Sequence, residues 1–200
     1  MVTISRMTAL LQPNPSVRPS RRPWTGREFD QLSEKGWFDG QRVELINGEI
    51  LETPPMNDPH AQAVQLANYA LLPFFPPTVA TIRIQCPMRL GESRPFPDLV
   101  VVTGTPREVA RHPEMALLVI EVSDTTLEYD RTEKSKLYAT NGLPEYWIIN
   151  LRGRCVEVHR NPLVNAADPR YGEVRVVAAN ETLSPLAAPQ AIIRVADLLP

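Results

Sequence analysis

Residues 119–147 read VIEVSDTTLEYDRTEKSKLYATNGLPEYW. The apolar run ALLVI (116–120) feeds directly into Glu121, and nine residues later Asp130 opens a charged segment that carries Lys134 and Lys136. A continuous apolar run of this length suits a strand covered on both faces. Burying the carboxylate at its end costs several kcal/mol unless a cation or hydrogen-bond donors meet it. Asp130 suits a helix start, and Lys134, Leu137 and Tyr138 follow it at i+4, i+7 and i+8. Asn141-Gly142 stops the helix, with Pro144 beyond. EYWIIN (145–150) is the next strand. Strand, helix, strand with short joins is a βαβ unit, for which a parallel, right-handed crossover is the default.

The pattern extends in both directions. Thr25 with Glu28 three residues on makes a capping box, and Phe29, Leu32 and Gly36 suit a short helix that stops at glycine. QRVELINGEILE (41–52) is a hairpin around Asn47-Gly48, a dipeptide suited to a type I′ turn. TPPMNDP (53–59) reads as a loop. From His60 the apolar residues recur at helical spacing until Pro73. TVATIRIQCPMRL (78–90), PFPDLVVVTG (95–104) and CVEVHR (155–160) read as strands, with further strand-like stretches in GEVRVVA and AIIRV. These elements predict an α/β fold with a mixed central sheet flanked by helices. Residues 1–23, rich in Pro, Ser and Arg, read as a flexible arm, and 24–200 as one domain.

Composition narrows the class. Two hundred residues, 43% hydrophobic and 22% charged, are ordinary for a soluble globular chain. Lys+Arg 21 against Asp+Glu 23 gives a net charge of −2, which does not advertise a nucleic-acid binder but leaves room for a basic face. Cys86 and Cys155 lack metal-ligand spacing and read as reduced thiols, and His60, His112 and His159 are scattered. No run approaches the ~18 apolar residues of a membrane span, so a cytoplasmic protein with no membrane partner is expected.

Asp98 begins one strand and Glu121 ends the next candidate strand. Adjacent strands would set the two carboxylates side by side, which needs a shared cation or a shared proton. Mg²⁺ accepts such a site, and a nearby lysine would then orient a water, deprotonate it, or stabilise charge on a phosphate. Lys134, one turn into the following helix, is the candidate, and Lys136 lies about 200° around the helix from it, so both cannot face the same site. Each residue also has a plainer role. Asp98 suits a turn, Glu121 a surface strand end, Lys134 an exposed helix pairing with Asp130, and Glu44 a solvated hairpin. His60 suits a helix start, and Tyr138, Tyr146 and Trp147 suit the core. Ser123 lacks the turn and companions of a hydrolase nucleophile.

PFPDLVVV, VIEVSDTTLEYDRTEK, the Lys134-to-Tyr138 spacing and NGLPEYWIIN together resemble the Uma family of bacterial putative endonucleases, within the PD-(D/E)XK, restriction-endonuclease-like superfamily. RVELINGEI and the proline-then-histidine loop ending at His60 continue the likeness, over roughly residues 24–198. The resemblance implies a Mg²⁺-dependent endonuclease acting on DNA, with Mn²⁺ as a substitute ion. In that reading Asp98 and Glu121 bind metal, the backbone carbonyl of Val122 assists, and Lys134 serves catalysis. Glu44 completes the metal shell. The superfamily lysine two residues after the acid is absent here, where Ser123 stands, and the family places it on the next helix. A rim of Arg107, Arg111, Arg131 and Lys136 would meet phosphates, and a homodimer would cut both strands. The alternative is a nuclease-fold module, catalytically idle, that binds nucleic acid or regulates.

Overall fold

The computed structural model describes residues 21–53 and 55–200, so most of the expected N-terminal arm lies outside the described residues. At the centre is a six-stranded mixed sheet in the order β3-β4-β5-β6-β7-β8. The strands are β3 (Ala80–Ile84), β4 (Leu99–Thr103), β5 (Leu118–Ser123), β6 (Glu145–Asn150), β7 (Cys155–Leu163) and β8 (Arg170–Ala178). Every neighbouring pair is antiparallel except β5 and β6, which run parallel. The parallel pair is the one joined by the helix of the 119–147 stretch, since parallel neighbours need a crossover.

Both faces of the central strands β4, β5 and β6 are covered, while the edge strand β8 is largely exposed, and the two-residue period of the strands sorts the side chains between the faces. Leu99, Val101, Leu118, Ile120, Val122, Trp147 and Ile149 pack on one side with α2 (Asp58–Leu71) and the C-terminal segment. That segment comprises the short antiparallel strands β9 (Thr182–Leu183) and β10 (Ile193–Arg194) and the 3₁₀ turn Val195–Leu198. Val100, Val102, Val119, Tyr146 and Ile148 face the other side, against Leu137, Tyr138, Met88 and Ile46. Each large apolar side chain so buried contributes roughly 1.5–3 kcal/mol. On this second side lie the β1–β2 hairpin (Val43–Ile46 and Glu49–Glu52) and the helix after β5. By the same alternation, Asp98 and Glu121 belong to this second side.

Local signals act where the residues dictate them. Helix α1 (Gly26–Glu34) is capped by Thr25 and Glu28 in a reciprocal capping box. The hairpin turns at Asn47 (φ 50°) and Gly48 (φ 84°), both in the left-handed region that a type I′ turn requires. Several boundaries differ from expectation: β4 starts at Leu99, just after Asp98, β5 runs two residues past Glu121 to Ser123, and β7 continues to Leu163. Three more differences concern α2, β3 and the helix after β5. Helix α2 begins at Asp58 rather than His60, because Asn57 accepts a hydrogen bond from the His60 N–H and Pro59 fits a first helical turn. Strand β3 ends at Ile84, because Gln85 turns to φ 49° and Pro87 has no N–H to pair.

The third difference is the helix after β5, which starts at Leu127 and contains a π-helical turn. Its parts are α3 (Leu127–Tyr129), the π turn Asp130–Lys134 and α4 (Ser135–Thr140). Asp130 therefore does not cap the helix. It is buried inside it, accepting a hydrogen bond from Thr126 Oγ1 at 2.7 Å. Among the described residues no helix is long and apolar enough to cross a membrane.

Candidate active site

The antiparallel register sets Leu99 opposite Ile120, which brings the residue before β4 against the middle of β5. Asp98 and Glu121 meet there. The Asp98 N–H donates to Glu121 Oε2 at 3.3 Å, and the Val122 N–H donates to Asp98 Oδ2 at 2.9 Å. Both carboxylates are buried, Asp98 at 3% exposure and Glu121 at 5%. Two further elements close over them. From β1, Glu44 Oε1 accepts from the Phe96 N–H at 2.9 Å and from Lys134 Nζ at 2.7 Å. From the end of the π turn, Lys134 also donates to Glu121 Oε1 at 3.1 Å. Tyr138, one turn further on, donates to the same oxygen at 2.7 Å. The i,i+4 spacing of Lys134 and Tyr138 thus aims two donors at one carboxylate. Lys136 points away and pairs with Asp168 on the surface.

The charges do not balance in this pocket. Glu44, Asp98, Glu121 and Asp130 are buried carboxylates, and Lys134 is the buried cation among them. Burial pushes Glu121 up to about 8. Lys134 opposes that shift, while Asp98, Asp130 and Glu44 add to it. Burial likewise raises Asp130, against the hydroxyl donated by Thr126. Asp98 goes the other way. Desolvation works to raise it, but His60, the Val122 N–H and Arg42 outweigh that and hold it below the ordinary carboxylate range. Lys134 is held well above the ordinary lysine value, because Glu121 and Glu44 overcome its own desolvation. Neighbouring carboxylates whose pKa values are pushed apart are a mark of sites built for chemistry.

These groups line a cleft of about 320 Å³. Two of its residues are weakly marked in the sequence, His60 as a helix start or a wall of the cleft and Arg42 not at all. His60 Nε2 lies 3.0 Å from Asp98 Oδ1, though without an aligned hydrogen bond. Arg42 Nη2 donates to the same oxygen at 3.3 Å. The signal for His60 was its place in the first turn of α2, which also suits a purely structural histidine. Arg42 carries no local signal, because only the packing of the hairpin on β4 brings it in. Of the expected arginine–lysine rim, Arg131 is held by Glu157 at 2.7 Å and Lys136 by Asp168. Neither they nor Arg107 and Arg111 line this cleft.

Comparisons with known proteins give the family and the fold. A family model described as "Uma2: Putative restriction endonuclease" matches residues 27–196. The chain belongs to the Uma2 family. That match takes in every element of the site, from β1 to the helix after β5. Among solved structures, the Uma2 chain is similar to a crystal structure from Anabaena variabilis titled a putative nuclease belonging to DUF820. The TM-score is 0.66 at 18% identity, over 88% of this chain and 97% of that one. At this identity the likeness is one of fold. No curated protein matches the sequence.

A metal ion fits the donor set of this Uma2 site in a specific way. Among the described residues, no three His, Cys, Asp or Glu side chains form a ready-made cage. Mg²⁺ does not require one, since it binds through one or two carboxylates and keeps several waters. Asp98 and Glu121 would supply that pair, in a pocket with surplus buried negative charge. The surplus has a measurable consequence in metal-free protein. Glu121, raised from 4.5 to about 8, favours the fold when protonated and costs stability as pH rises through that window. Glu121→Gln removes this cost. The stability of the variant relative to wild type is expected to climb between about pH 4.5 and 8, by at most roughly 1.4 kcal/mol per unit. Urea denaturation of both proteins in EDTA across that range reads it, and a pH-independent difference would show that Glu121 is ionised throughout.

Proposed function

We propose that this protein is a Mg²⁺-dependent endonuclease that hydrolyses DNA phosphodiester bonds in the Asp98–Glu121 cleft. The observation that carries the reading is the buried carboxylate pair beside a lysine shared between Glu121 and Glu44. Membership of a family described as a putative restriction endonuclease supports it. Asp98 and Glu121 would hold the ion, with the Val122 carbonyl as a main-chain ligand. When bound, a divalent ion supplies a Lewis acid and lowers the pKa of a coordinated water.

The remaining residues divide the other tasks. Lys134 stays an ammonium at any working pH, so it acts as a donor toward the attacking water or the phosphoryl oxygens and not as a base. Glu44 fixes that ammonium, using the same oxygen that the Phe96 N–H holds. Its part is therefore to orient Lys134. Arg42 and His60, both beside Asp98, are placed to meet a phosphate entering the cleft.

The test is a panel of supercoiled, linear duplex, single-stranded and branched DNA incubated with Mg²⁺ or Mn²⁺. Cleavage is expected with either ion, lost in EDTA, and weakened as salt rises because phosphate contacts release counterions. Binding of DNA with no cleavage of any substrate would instead support an idle nuclease-fold module. Native mass measurement on the active form then shows whether two copies assemble to cut both strands.

A further inference from the structure

A second cleft of about 350 Å³ adjoins the first, and Arg42 and Phe96 line both. Arg42 stands at the junction. Its guanidinium carbon is 6.0 Å from the Phe96 ring centroid, and its Nη2 reaches Asp98 in the catalytic cleft. The wall of the second cleft is aromatic: Phe29 and Phe38 stack with centroids 5.2 Å apart, and Phe96 completes it. Phe29 is buried while Phe38 keeps part of its surface open.

Its charge is net positive, with Arg42, Arg89 and Arg94 against Asp30 and Glu34. Arg94 is committed, donating twice to Asp30 and also to the carbonyls of Gly91 and Ser93. Arg89 is not. It makes one long contact to Asp30 at 3.4 Å, and its Nε is buried without a hydrogen-bond partner among the described residues. The neighbouring His112 senses these cations, since burial and then Arg83 and Arg89 press its pKa down. Aromatic faces beside unsatisfied arginine donors are what a nucleotide requires: a base stacks on the rings and a phosphate takes the guanidinium groups.

Resting on the nuclease reading, we propose that this second cleft holds the nucleotide adjoining the scissile phosphate, with its base against Phe38 and Phe96, Phe38 being backed by buried Phe29, and its phosphate on Arg42 and Arg89. A base in that position is unstacked from its neighbours. The preferred substrate is therefore single-stranded or locally unpaired DNA, with little sequence preference, because every base offers a face to stack.

The test is fluorescence anisotropy of a short labelled oligo-dT with the full chain, in EDTA and again in Ca²⁺, for wild type, Arg89→Gln and Phe38→Leu. Leucine at 38 keeps an apolar contact on Phe29 while removing the aromatic face. Wild type is expected to bind the single strand more tightly than a blunt duplex of equal length. Arg89→Gln is expected to weaken binding about tenfold and to reduce the salt slope by about 1. Phe38→Leu is expected to weaken it at least about fivefold with the slope unchanged. Equal affinity of all three proteins, or a duplex bound as tightly as the single strand, would overturn the proposal. So would dTMP bound as tightly as the oligonucleotide, which would mark a free-nucleotide site. The two readings fail separately. Binding that depends on Arg89 and Phe38 in a protein that never cleaves keeps this subsite and removes the nuclease, and cleavage with binding indifferent to both residues does the reverse.

Discussion

Replacing Lys134 with methionine is expected to destabilise the fold by about 3–5 kcal/mol at pH 7. Methionine matches the length of the stem, so packing is roughly preserved and the loss is electrostatic. Lys134 is 4% exposed, and its ammonium is shared by Glu44 and Glu121 at 2.7 and 3.1 Å. Without it, buried Glu44 loses its cation beside Asp98 and Asp130, and Glu121, already raised by burial, is pushed further toward its protonated form. Because the Lys134 pKa is raised by folding, its stabilisation is fully present below the ordinary lysine value of 10.5 and fades only as pH rises beyond it. Neutral pH therefore reports the loss of the Lys134–Glu44 pair. Adding Glu121→Gln to Lys134→Met should recover part of the loss only above about pH 8, where Glu121 ionises in the wild type. Urea denaturation of the two variants and wild type measures this. A loss below about 1 kcal/mol for Lys134→Met would mean that the ammonium is solvated and holds neither carboxylate.

The second large effect concerns Asp98. Asp98→Asn is expected to cut metal-dependent cleavage by more than about 100-fold, because removing even an indirect partner of a metal ligand costs about 10–100-fold. Asparagine can still accept the Val122 N–H that Asp98 Oδ2 accepts at 2.9 Å, so the β4–β5 junction survives. A stability cost of about 1–3 kcal/mol is expected from the weaker hydrogen bonds. Its sign follows from the depressed pKa of Asp98: the carboxylate contributes stability above its ordinary value of 3.8 and loses it as pH falls below. Rates compared at pH 8 with matched circular dichroism spectra separate chemistry from folding. Full activity in a folded Asp98→Asn protein would remove Asp98 from the site.

The parts of this site that sequence reveals are those carried by local signals. The apolar run into Glu121, the capping box at Thr25 and the Asn47-Gly48 turn each name an element within a few residues of its place. The spacing of Asp98 and Glu121 across two neighbouring strands foretells their contact, and the helical spacing separates Lys134 from Lys136. What sequence hides is non-local or irregular. Arg42 enters only because the hairpin folds over β4, 56 residues away in the chain from Asp98. The π turn at Asp130–Lys134 has no residue signature, and it converts an expected cap, Asp130, into a fourth buried carboxylate. Arg131 looks like a phosphate ligand in the sequence, yet it is held by Glu157 across 26 residues. His60 is legible as a helix-start residue, and its second contact, to Asp98, belongs to the packing of α2 against the sheet.

The central claim is that Asp98 and Glu121 form a divalent-metal site. Calorimetric titration of the metal-free protein with Mn²⁺ and Mg²⁺, on wild type and Asp98→Asn, tests it without knowledge of the DNA substrate. Saturable binding of Mn²⁺ to wild type, weaker binding of Mg²⁺, and loss of both in a folded Asp98→Asn protein are expected. Wild type that binds neither ion at millimolar concentration, or binding that persists unchanged in Asp98→Asn, would contradict it.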